Sequence, residues 1–71
     1  MSGKFAPADE SGRKPYYVEK RSWAGRRSWV SIGWGRTVSD AKYDAWGRLG
    51  PYDSIIVCRR ATHEDMEKYA R

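Results

Sequence analysis

Three features of the chain predict a small α+β domain of order β-β-α-β with a terminal helix. Two β-rich segments lie back to back at 16–22 and 27–34 of the 71-residue chain. A capped helical pattern follows at 37–49. A short apolar run at 54–60 then leads into a second capped segment at Thr62. Such an order gives two layers: a three-stranded sheet with one main helix packed on one face and a short C-terminal helix. The single domain is expected over 15–71. Residues 1–14, MSGKFAPADESGRK, predict a flexible arm, because Gly, Pro, Ser and charge cannot bury enough surface to offset ordering entropy.

The first strand is YYVEKRS, which is rich in β-formers and follows Pro15. The second is RSWVSIGW, and the intervening Trp23-Ala24-Gly25-Arg26 holds the glycine a hairpin turn favours. Period-2 sorting puts Tyr16, Val18, Val30, Ile32 and Trp34 on one face, the expected core face. It puts Tyr17, Glu19, Arg21, Trp23, Arg27, Trp29 and Ser31 on the other, a mixed arginine and aromatic surface.

Thr37, with Asp40 three residues on, reads as a helix N-cap. Val38, Ala41, Ala45 and Leu49 recur at helical spacing, with Trp46 beside the stripe. Gly50 suits a left-handed cap and Pro51 forbids continuation. Gly47 costs the helix roughly 1 kcal/mol unless another backbone approaches it. In SIIVCRR the run Ile55-Ile56-Val57-Cys58 is apolar on both faces, which predicts a strand covered on both sides and a buried thiol. Thr62-His63-Glu64-Asp65 caps a last helix that holds only if Met66 and Tyr69 dock. The expected strand order is 2-1-3, with the third strand antiparallel to the first.

Aliphatic residues are few and Leu49 is the sole leucine, so the ten aromatics must fill much of the core. Trp34 and Trp46 are assigned there. No apolar run is long enough to span a membrane, and the lone Cys58 excludes a disulfide framework. With no apolar leader, the cytoplasm is the expected compartment.

The net charge is +5, and it is concentrated. Residues 13–36 hold Arg13, Lys14, Lys20, Arg21, Arg26, Arg27 and Arg36 against Glu19 alone. The same third of the chain holds Tyr17, Trp23 and Trp29. Cations meet phosphates and flat rings meet bases, so this pattern points to nucleic acid, DNA or RNA. Arg21, Arg26, Arg27 and Arg36 are the expected phosphate contacts, with Trp23, Trp29 and Tyr17 stacking or filling a groove. Arg13 and Lys14 add charge from the arm. The bland alternative is a solvated ribbon whose rings and cations stack on each other.

Other motifs carry less. Gly33-Trp34-Gly35-Arg36 is too short for a phosphate loop and reads as a bulge at the strand exit. His63 has no second ligand by spacing, and Asp40, Asp44 and Asp53 form no metal pattern. No nucleophile–base pair, metal site or cofactor motif is present, so an enzyme is not expected.

Residues 16–49 resemble in outline the sheet-plus-helix arm domains of phage integrases, in which a twisted sheet reads DNA; those place three strands before the helix where this chain has two. Residues 29–60 are similar in outline to one half of a SPOR repeat, with no second half. Neither supplies a motif to carry over. The expected function is a non-enzymatic nucleic-acid-binding module. The alternative is a protein-interaction module, such as a phage-encoded inhibitor or accessory factor, that docks the same face on an acidic protein surface as a monomer or homodimer.

Overall fold

A computed structural model describes residues 4–21 and 28–70 of the chain. Strand β1 (Lys14–Arg21) pairs antiparallel with β2 (Ser28–Gly35) and, on its other side, with β3 (Ile55–Arg60). The sheet order is therefore β2-β1-β3, the predicted order. Helix α1 (Val38–Leu49) connects β2 to a 3-10 turn (Tyr52–Ser54) that leads into β3, and α2 (His63–Tyr69) follows. The α+β class and the two helices are as the sequence predicts.

Both helix starts form as their caps dictate. Thr37 Oγ1 accepts from Asp40 N–H at 3.2 Å. Thr62 and Asp65 make a reciprocal box: Asp65 N–H donates to Thr62 Oγ1 at 3.1 Å, and Thr62 N–H to Asp65 Oδ2 at 2.9 Å. The end of α1 departs from expectation. Gly50 has φ −6° and ψ 158° instead of a left-handed conformation. Pro51 follows it, and a residue before proline is pushed toward extended ψ.

The register corrects the two predicted faces. Tyr16 lies opposite Gly33, Val18 opposite Ser31 and Lys20 opposite Trp29. Opposed residues point to the same side. Tyr16 and Val18 therefore share a face with Trp29, Ser31, Gly33 and Gly35, while Val30, Ile32 and Trp34 go with Tyr17, Glu19 and Arg21. A shift of one residue in pairing inverts every side chain on a strand.

The small side chains on that face explain why α1 packs there. A Cβ on Gly33 would lie 2.4 Å from Ala41 O, and one on Gly35 would lie 2.4 Å from Ala41 N. The helix backbone rests on the strand with no side-chain layer between them. Gly33-Trp34-Gly35 is thus a packing seat within a regular ladder, and not a bulge. The bulge lies on the other side of β1, where the register with β3 shifts between Tyr17 and Val18. Gly47, offered as a point of close approach, has none: a Cβ there would meet nothing within 4 Å beyond its own helix backbone.

The core is Tyr16, Val18, Ala41, Ala45 and Ile55, with Leu49 and Val57 against it. Neither assigned tryptophan joins it. Trp46 is 46% exposed, because it sits one position past the Ala41/Ala45 stripe that meets the sheet. Trp34 is half-buried on the face away from α1. Strand β3 is an edge strand and not a covered one, so Ile56 is 44% exposed and Cys58 is exposed rather than buried.

Residues 4–13 of the predicted arm lie against the body. Phe5 bridges to Thr62, Ala6 N–H donates to Ala61 O at 2.8 Å, and Arg36 donates to Ser11 O through Nε and Nη2 at 3.0 and 2.8 Å. No helix among the described residues is long and apolar enough to cross a membrane.

Candidate nucleic-acid interface

The fold does not gather the predicted site residues in one place. Trp23, Arg26 and Arg27 lie outside the described residues. Arg21 and Trp29 stand at the end of the β1–β2 ladder that leads into 22–27. Arg36 follows Gly35 at the far end, about 20 Å away along a strand rising roughly 3.3 Å per residue. The fold therefore does not bring Arg36 to the others, and its guanidinium holds Ser11 instead.

Burial runs out along the ladder. Val18 and 31–33 are buried, whereas Arg21, Ser28 and Trp29 are exposed. The Arg21 side chain is 61% exposed, with Nε 3.0 Å from Glu19 Oε1. The Glu19 side chain is half-buried, and a pair with one exposed partner contributes little to stability. On the opposite face Lys20 Nζ lies 4.9 Å over the Trp29 ring, which is 42% exposed.

Tyr17 is half-buried and engaged. The Arg59 guanidinium carbon lies 4.3 Å over its ring, and Tyr69 meets it edge-on at 5.7 Å. Burial pushes the Tyr17 phenol up, and Glu19 adds to that. Arg59 also grips Asp65 with both terminal nitrogens. The Arg59 bonds, ahead of the Thr62 cap, hold the buried Asp65 carboxyl down at about 2. This chain of contacts docks α2 over the second sheet face, where Ile32 is buried.

Two further features escape sequence reading. Asp44 and Arg48, one turn apart on α1, cover the outer edge of β2. Trp34 N–H donates to Asp44 Oδ2 at 2.9 Å, Arg48 Nη2 to Ile32 O at 2.6 Å, and Arg48 Nε to Ser31 Oγ at 3.0 Å. Burial acts to raise the Asp44 carboxyl, but the bonds from Trp34 and Arg48 outweigh it and leave it below the usual range. Beside this clamp lies a cleft of about 450 Å³ lined by Arg13, Trp34, Asp44, Arg48 and Tyr69, among others. Its cations are balanced by Asp9 and Asp44.

The second feature is a surface triad. Tyr43 (63% exposed), Trp46 and Tyr52 meet pairwise edge-to-face at 5.4–5.8 Å, with Lys42 Nζ 4.1 Å over Tyr52. The i, i+3 spacing of Tyr43 and Trp46, off the alanine stripe, is the signal that would have found it.

Among the described residues every arginine donates to a partner within the chain. Among them, too, no three His, Cys, Asp or Glu side chains gather as a metal would require. Comparison with protein-family models, with curated proteins and with solved structures finds no match. The fold and its surface define a small α+β domain with one strand edge covered, one sheet face seated on a helix and, among the described residues, Arg21, Ser28 and Trp29 exposed at one end of the β1–β2 ladder.

Proposed function

We propose that the chain is a non-enzymatic nucleic-acid-binding module, working in a reducing compartment such as the cytoplasm, where an exposed thiol like Cys58 persists. One observation carries this reading. The end of the β1–β2 ladder that the helices leave uncovered is also where Lys20 and Arg21 flank a connector containing Arg26 and Arg27. Lys20 and the exposed Arg21, with Arg26 and Arg27 close by in sequence, supply cations for phosphate contacts, and the release of counterions makes such binding salt-dependent. Gel shifts with duplex DNA, single-stranded DNA and RNA test it. Binding that weakens with salt is expected, and no shift of any probe at about 50 mM salt overturns the proposal.

A second reading, a protein partner, is favoured by the Tyr43, Trp46 and Tyr52 surface, since exposed Trp and Tyr are the residues that anchor interfaces. A pull-down that returns one protein after nuclease treatment, and loses it with Trp46→Ser, supports this reading over the first.

A further inference from the structure

We propose that two adjoining hollows that share Trp34 and Arg13 hold a nucleotide unit, its base stacked on the Trp34 ring and its phosphate held by Arg13 and Arg36. This site lies at the far end of the ladder from Lys20 and Arg21 and needs neither residue. The ring is the first support. Among the described residues Trp34 is the one aromatic side chain with neither a ring nor a cation against it, whereas every other described ring meets one or the other. Trp34 is half-buried and lines both the cleft of about 450 Å³ and a second hollow of about 260 Å³. A ring with no partner of its own beside such space is a platform for a base. Sites for small ligands span roughly 300–1,000 Å³, which the two hollows together provide.

The cations are the second support. Arg13 lines both hollows and Arg36 lines the smaller one. Ser11 draws the two guanidinium groups together: Arg13 Nε lies 3.1 Å from Ser11 Oγ, and Arg36 Nη2 lies 2.8 Å from Ser11 O. Both terminal nitrogens of Arg13 and Nη1 of Arg36 have no hydrogen-bond partner among the described residues. Among those residues Arg13, Arg21, Arg48 and Arg59 each pair with a carboxylate, whereas the exposed Arg36 rests on a neutral carbonyl. Its charge is therefore open to an anion, and guanidinium bonds to phosphate oxygens are short and strong. Asp40 lines the same hollow with no ion pair among the described residues. A carboxylate only accepts, so it suits a ligand that brings donors. A nucleotide brings sugar hydroxyls and base amino groups; the ring of a phosphorylated tyrosine brings none.

NMR titrations of the full chain, read at the tryptophan indole and arginine Nε resonances, decide the matter. The probes are the ribonucleoside monophosphates, the matching nucleosides, inorganic phosphate, phenyl phosphate and a single-stranded pentanucleotide. At least one monophosphate is expected to bind about tenfold more tightly than its nucleoside, phosphate or phenyl phosphate, since a charge-assisted bond or a stacked base is each worth roughly that factor. Arg13→Gln, Arg36→Gln and Trp34→Leu, each checked for folding by circular dichroism, should weaken it about tenfold apiece. A pentanucleotide held more tightly than the free monophosphate assigns the unit to a strand, and equal affinity assigns it to a free nucleotide; both uphold the site. Inorganic phosphate or phenyl phosphate bound as tightly as every monophosphate overturns it, as does failure of the monophosphates and the pentanucleotide to bind. The comparison of probes uses the parent protein, so it holds even if a variant misfolds. A gel shift that survives Arg36→Gln while no monophosphate binds overturns this site and leaves the proposed function standing. A bound monophosphate with no gel shift does the reverse.

Discussion

The Cβ that Gly33 lacks would stand 2.4 Å from the carbonyl oxygen of Ala41, closer than any real contact allows. The obstacle is helix backbone, which cannot turn aside as a flexible side chain can. Gly33 and Gly35 therefore set how near α1 lies to β2, and the burial of Ala41 and Ala45 follows from that distance.

Gly33→Ala and Gly35→Ala should each destabilise the fold by about 1–3 kcal/mol or more, the usual cost of forcing extra atoms into a packed layer. Gly47→Ala on the same helix meets open space. It should stabilise by about 0.5–1 kcal/mol, since only helix propensity changes. Urea unfolding midpoints of the three variants measure this, and a neutral Gly33→Ala would refute the close seat.

Acid should weaken the protein through Asp65. Its carboxyl titrates at about 2 in the fold against 3.8 ordinarily, so the unfolded chain takes up the proton first. The stabilisation, about 2 kcal/mol for a shift of this size, is complete above about pH 4 and is lost as pH falls toward 2. Unfolding measured across that range should steepen accordingly. Asp65→Asn should lower stability at neutral pH and flatten the acid limb, Asp9 and Asp44 keeping their own smaller contributions.

The clamp on β2 predicts a change in association. Arg48→Ala removes the donors to Ile32 O and Ser31 Oγ and leaves Asp44 with the Trp34 N–H but without its cation. A loss of about 1 kcal/mol is expected from these bonds. An uncovered strand edge also invites pairing with another chain. Light scattering over a concentration series should show more association for Arg48→Ala than for the parent, and equal behaviour would show that the clamp does not guard the edge.

Trp46 distinguishes a surface ring from a core ring by energy. A buried tryptophan cut to alanine costs about 3–5 kcal/mol. Trp46 instead has edge-to-face contacts with Tyr43 and Tyr52, each worth about 0.5–1.5 kcal/mol. Trp46→Ala should therefore cost about 1–2 kcal/mol in a urea titration, and a core-sized loss would contradict the exposed position.

The sequence alone determined what is local: two strands, two capped helices, their order, and the concentration of cations between residues 13 and 36. A Thr side chain reaches its own helix N–H groups whatever else the chain does, and alternation reports a strand without its neighbour. Tertiary structure decided the rest, because it depends on which residue stands opposite which. Pairing Val18 with Ser31 moved Ile32 and Trp34 to the second sheet face, and it parted Trp29 from Tyr17 and Arg21. Chain packing likewise turned two glycines into a helix seat, placed Trp46 at the surface, and gave Arg59 to Tyr17 and Asp65. Composition counts a cation or a ring; only contact across the fold determines whether a neighbour has already taken it.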